Sequence, residues 1–235
     1  MELVIQNIEK KYGAKKVLSN LSFKCKKGEV IGLLGLNGAG KTSLMKILTG
    51  FNLNWTGNIS LNGIDLKKRL KDVQQLTGYL PENNPLYEDL LVIEYLKLTS
   101  KLYRVKNPDI NKIIHSTGLS NYKHHKIGKL SKGYKQRVGL AASIIHKPEL
   151  LILDEPMTGL DPKQILEIRK LIKELGKKKI IILSSHILNE VESLCSRIIL
   201  IHEGKLILDS SIKKLKLNKK NISLEKIFNK LTNSN

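Results

Sequence analysis

Gly35-Leu36-Asn37-Gly38-Ala39-Gly40-Lys41-Thr42 limits the fold of this chain more than any other stretch. It follows a short apolar run, Val30–Leu34, and leads into Lys41–Thr49, whose helical pattern Gly50 ends. A strand, a glycine-rich turn and a helix in that order predict an α/β architecture. The glycines let the backbone turn its N–H groups inward as a cradle for phosphate oxygens. The helix start adds the positive end of its dipole. Lys41 is placed to neutralise β- and γ-phosphates, and the Thr42 hydroxyl to hold Mg²⁺. The predicted nucleotide contacts run through Gly35, Leu36, Asn37, Gly38, Ala39, Gly40, Lys41, Thr42 and Ser43.

Leu150–Leu153 is a second compact apolar run, and it ends in Asp154-Glu155-Pro156. A buried parallel strand of that kind delivers its acids to the C-terminal edge of a sheet, where ligands bind in α/β folds. Successive strand residues point to opposite sides, so the two acids can take different roles. Asp154 is placed to coordinate Mg²⁺ or its waters. Glu155 is placed to polarise an attacking water as general base.

The rest of the chain alternates in the same style. Leu3–Ile8, Val17–Phe23, Asn58–Leu61, Leu76–Leu80 and Ile180–Leu183 read as strands, and Ile198–Ile201 with Lys205–Leu208 as a hairpin through Glu203-Gly204. From about Leu86 to Leu119 the pattern is helical, with two helices meeting near Asn107-Pro108. Val138, Ala141, Ala142 and Ile145 make Gly133–His146 an amphipathic helix. Asp161-Pro162 opens another helix with a cap and an N1 proline. Beyond Asp209 the chain is rich in lysine and asparagine, with a short helix expected over Leu224–Leu231.

Charge narrows the function classes less than its size implies. The net charge is +20, but only five of the 41 cationic residues are arginine: Arg69, Arg104, Arg137, Arg169 and Arg197. Proteins that read nucleic acid favour arginine. Lysines spread through the chain instead predict solvated faces, with attraction to an anionic membrane surface or to nucleic acid as the alternatives. Cys25 and Cys195 stand far apart, which excludes a disulfide scaffold and a cysteine zinc site and fits a reducing compartment. No apolar run approaches the roughly 18–20 residues that span a bilayer. Met1–Asn7 predicts no secretory signal.

Leu130-Ser131-Lys132-Gly133-Tyr134-Lys135-Gln136-Arg137 closely resembles the signature motif of ABC-type ATPases. Gly159-Leu160-Asp161-Pro162 is similar to that family's D-loop, and Ser184-Ser185-His186 to its switch histidine after a strand. Tyr12 stands where the family places a ring that stacks on adenine. The resemblance covers about residues 2–210, and Ser223–Thr232 resembles the end of many such subunits. It implies an α/β P-loop NTPase of ABC type: a mixed, mostly parallel core sheet, an antiparallel β subdomain and an inserted α-helical signature subdomain. The expected division is residues 1–210 for the ATP-binding domain, with the helical part at about 84–146, and 211–235 for a tail.

The resemblance also implies roles. Ser131 and the N–H of Gly133 would contact the γ-phosphate of ATP held by a second copy or a paralogous subunit. Two chains would form a head-to-tail sandwich around two ATP molecules. Asp161 would lie across that interface, and His186 would bond the γ-phosphate and the catalytic water. His115, His124, His125, His146 and His202 have no matching role and read as surface or packing residues. Glu82 departs from the family, standing where most members have a glutamine that touches Mg²⁺; a carboxylate can still ligate the ion. The run Gly78–Leu96 resembles the drug/polysaccharide-exporter branch, in particular its gliding-motility-associated subunits. The implied protein is an ATPase subunit that powers separate transmembrane permease subunits, in the export direction. It would be cytoplasmic and peripheral on the inner face of the membrane, touching it through partners, with no nucleic acid expected. The alternative is a soluble, non-transport ABC ATPase acting on nucleic acid.

Overall fold

A computed structural model describes residues 1–218 and 224–232 of the chain. Of the expected tail, residues 219–223 and 233–235 lie outside the described residues, Ser223 among them. Two sheets face one another. β1 (Glu2–Tyr12), β2 (Lys15–Lys26), β4 (Thr56–Leu61) and β5 (Ile64–Asp65) form an antiparallel sheet in the order β2-β1-β4-β5. β3 (Val30–Leu34), β6 (Thr77–Leu80), β7 (Leu150–Leu153), β8 (Ile180–Ser184), β9 (Arg197–His202) and β10 (Lys205–Ser211) form the second, in the order β10-β9-β3-β8-β7-β6. All its pairs are parallel except β9 with β10.

The continuous apolar runs are explained by burial on both faces of this sheet. Ile31, Leu33, Leu150, Ile152, Ile180 and Ile182 point toward the antiparallel sheet. Between the two sheets lies α1 (Lys41–Leu48), which buries Leu44, Met45, Ile47 and Leu48 in the same cluster. Val30, Leu34, Leu151, Leu153, Ile181 and Leu183 point the other way. There they meet Ile168 and Ile172 of α6 (Pro162–Gly176) and Val191 and Leu194 of α7 (Leu188–Leu194). Leu224 and Ile227 of α9 (Leu224–Thr232) join this cluster, so the terminal helix packs on the core.

A third cluster is helical. Val92 and Leu96 of α3 (Val92–Leu102) and Ile114 of α4 (Ile110–Ser116) pack on Val138, Ala141 and Ala142 of α5 (Lys132–Ile144). Here the amphipathic expectation needs correction. α5 is buried on nearly every side, because Leu140 and Ile144 face the sheet while Val138 and Ala141 face α3 and α4. It also starts one residue earlier and stops sooner than Gly133–His146. β1, β2 and β10 outrun their apolar cores. β5, α2 (Leu70–Gln75), α7 and α8 (Ile212–Asn218) are too short to show a period in the sequence.

Candidate functional site

The glycine loop joins β3 to α1 as expected. Gly40 caps α1 with φ +109°, and a Cβ there would lie 2.6 Å from Leu18 Cδ2 and 2.9 Å from the Val17 carbonyl. Only glycine satisfies both demands. Lys41 Nζ donates to the carbonyls of Gly35 at 2.8 Å and Leu36 at 3.1 Å, so it folds back over the loop. Burial lowers its pKa, and the nearby charges of Glu155, Asp154 and Glu82 oppose that shift. Beside the loop lies a groove of about 370 Å³. Tyr12, Lys15 and Val17 form one wall; Asn37, Gly38 and the first turn of α1, with Lys41, Thr42 and Ser43, form the other.

The two acids stand at the end of β7, beside the end of β8. Ser184 Oγ donates to Asp154 Oδ1 at 2.6 Å and accepts the Glu155 N–H at 3.0 Å. Glu155 has φ +50°, an unusual backbone for a side chain of that size. Gln136 Nε2 of α5 donates to its carbonyl at 3.2 Å. The Glu155 peptide groups are therefore pinned from both sides. His186 Nδ1 donates to Glu155 Oε2 at 2.9 Å. Its loop is set by Ser185, whose hydroxyl accepts from Ile187 N and donates to buried Glu190. Burial pushes the Asp154 carboxyl up, and the Ser184 bond partly offsets it. Burial likewise pushes Glu155 up, against the pull of His186.

Glu82 is exposed in the turn after β6, the strand paired with β7. Its charge reaches Lys41, Asp154 and Glu155. Glu82, Asp154 and the Thr42 hydroxyl offer oxygen donors of the kind Mg²⁺ takes. Among the described residues no three His, Cys, Asp or Glu side chains form a closed metal cage.

Ser131, Gly133 and Asp161 gather at a second place, and none of them lines the groove. Ser131 caps α5, its hydroxyl 3.5 Å from the Tyr134 N–H. Asp161 caps α6 by accepting from Gln164 N at 2.8 Å. A Cβ on Gly133 would come within 2.6 Å of Gln164 Oε1 and 3.0 Å of the Gly159 carbonyl, so the two helix starts pack tightly. Ser131 and Asp161 are both exposed. Of the remaining histidines, His146 stacks on Tyr103 at 3.8 Å and donates to the Thr77 carbonyl. Burial pushes its pKa down to about 4, which keeps it neutral.

Ser184 and Gln136 lie within quoted motifs, yet their grip on Glu155 has no sequence signal, because it depends on strand order. Tyr12 is half exposed, and its hydroxyl accepts from Asn52 Nδ2 at 2.9 Å.

The family model described as ABC transporter matches residues 18–158. A lantibiotic transport ATP-binding protein of Streptococcus pyogenes is 40% identical over 208 residues, 88% of this chain and 90% of its own length. A bacitracin transport ATP-binding protein of Bacillus licheniformis is 39% identical over 204 residues, 86% of this chain and 67% of its own. A solved ATP-binding subunit of an ABC transporter superposes with a TM-score of 0.90 at 28% identity, covering 98% of this chain and 99% of that one.

Proposed function

This chain belongs to the ABC transporter family as an ATP-binding subunit, and from that premise we propose how its residues divide the work of an exporter ATPase. The observation that carries the proposal is the split between the groove with its acids and the exposed helix starts at Ser131 and Asp161.

In one chain, the loop N–H groups and Lys41 take the β- and γ-phosphates while Tyr12 carries the base. Lys41 exchanges its bonds to the Gly35 and Leu36 carbonyls for phosphate oxygens. Thr42, Asp154 and Glu82 would hold Mg²⁺, which supplies charge neutralisation between the phosphates when bound. Glu155 orients the attacking water and receives its proton, and His186 holds that carboxylate while facing the γ-phosphate. The cover comes from elsewhere: Ser131 and the Gly133 N–H of a second subunit close on the same γ-phosphate, with Asp161 across the interface. That subunit is another copy or a paralogue.

The phosphoryl chemistry is then communicated through the turn that carries Glu82. Beyond it, Tyr79, Pro81, Pro85, Tyr87, Leu98 and Leu102 line a cleft, next to Phe51, which is 80% exposed. We assign this apolar surface to a cytoplasmic segment of a permease subunit, because it continues directly into the Glu82 turn. No helix among the described residues is long and apolar enough to cross a membrane, so contact with the bilayer would run through that partner. Residues 1–210 are assigned to the ATP-binding unit, with 84–146 as its helical part, and the peripheral inner-face location follows from docking. Export is supported by relatives named for lantibiotic and bacitracin transport.

Complementation tests the split. A Lys41→Ala chain lacks the phosphate cation, and a Ser131→Arg chain blocks the helix start. Each alone is expected to be inactive, whereas the mixture should regain single-turnover hydrolysis through one intact composite site. A mixture no more active than either variant contradicts the head-to-tail reading.

A further inference from the structure

Scattered lysines predict solvated side chains, and Lys10 departs from that rule: it is 3% exposed. Among the described residues no carboxylate forms an ion pair with it. Burying an ammonium group is costly unless its charge and its donors are satisfied. Here Nζ donates to Asn52 Oδ1 at 3.0 Å and to the Asn54 carbonyl, and lies 4.5 Å from the centroid of the Tyr12 ring. Asn52 in turn donates through Nδ2 to the Tyr12 hydroxyl at 2.9 Å. The Asn52 backbone N–H bonds the Lys46 carbonyl at 3.0 Å, which ties the arrangement to the last turn of α1. The ring is thus gripped at one face and at its hydroxyl, from the helix whose start cradles phosphate. The cation is buried and Tyr12 is 48% exposed, so the ammonium covers the inner side of the ring and leaves the outer face to the groove.

We propose that Lys10 and Asn52 are positioning residues that hold Tyr12 as a flat platform for the purine base of the nucleotide. The proposal rests on Tyr12 being that platform. Lys10 draws on the electron-rich face of the ring from behind, so the outer face repels a purine π-system less. Asn52 fixes the ring's tilt. Neither residue reaches the phosphates, so both act on base recognition and not on binding of the triphosphate itself.

The test compares ATP with inorganic tripolyphosphate, which has the phosphates and no base, by calorimetric titration of the full chain. Tyr12→Leu is expected to weaken ATP about tenfold and to leave tripolyphosphate unchanged. Lys10→Met should weaken ATP about fivefold, leave tripolyphosphate unchanged, and add nothing in a Tyr12→Leu background. Asn52→Ala, at a half-buried loop position, should act in the same direction and supplies the comparison should Lys10→Met fold poorly. Equal losses for both ligands, or a full Lys10 effect when Tyr12 is already leucine, would overturn the proposal. So would an unchanged ATP preference in Lys10→Met and Asn52→Ala while Tyr12→Leu loses it; that result leaves the platform standing and removes only its supports. A Tyr12→Leu chain with its ATP preference intact would remove the platform and the supports together.

Discussion

The mouth of the parallel sheet and the paired helix starts differ in what their polar side chains are occupied with. At the mouth, Asp154 is buried and bonded to Ser184, and Glu155 has its amide, carbonyl and carboxylate each held by another side chain. At the helix starts, Ser131 and Asp161 are exposed, and the contacts they make cap their own helices. In the proposed mechanism the chemical half of the site is held in place within one chain before the nucleotide arrives. The other half of the proposed site is two exposed helix starts, available to a neighbouring subunit.

Glu155→Gln gives the largest expected effect at the mouth, a fall in phosphate release of about 10²–10⁴-fold with ATP still bound. Near-normal turnover in that variant would show that another group positions the water. Ser184→Ala comes next. Losing the hydroxyl frees Asp154 and the strained Glu155 backbone together, and a ten- to hundredfold fall in kcat is expected, about 1.4–2.7 kcal/mol. This deficit should not depend on protein concentration. Ser131→Ala is expected to behave in the opposite way, its deficit shrinking as subunit concentration rises, because it weakens association. Matching concentration dependence in a dilution series of the two variants would break the contrast between the regions.

A pH profile sharpens it further. Burial holds the Glu155 carboxyl above its ordinary range, and the His186 bond works against that shift. The base acts only when ionised, so turnover falls as pH drops through this raised value. His186→Ala removes the opposing pull, raises the Glu155 pKa further, and should move the acid limb of kcat to higher pH. A limb that stays put or moves down contradicts the assigned pairing. Smallest of all is Glu82→Gln, expected to change basal hydrolysis by less than about tenfold, or 1.4 kcal/mol. A steeper loss would place the acid within the catalytic core.

Legibility followed sequence distance. The loop from Gly35 to Ser43 and the Asp154-Glu155 pair were readable because their geometry is local: a strand, a turn and a helix start fix it within a few residues. Asp161 and Pro162 announced their helix for the same reason. Ser184 lies thirty residues from Asp154 and Asn52 forty from Tyr12, and only strand order or the fold of the α1–β4 loop brings them together. The all-round burial of α5 was hidden for a related reason. Its glycines and Ser143 do not look like core, yet their small size lets two clusters close on one helix. Lys10 was masked by composition, one lysine among many in a chain of net charge +20.

Light scattering on Glu155→Gln tests the central division of labour most directly. With ATP and Mg²⁺ the variant should run at twice the 26.5 kDa mass of one chain, and return to the single mass when Ser131→Arg is added. A variant that binds ATP and Mg²⁺ and still runs at 26.5 kDa would contradict the claim that one chain supplies the chemistry and another closes the site.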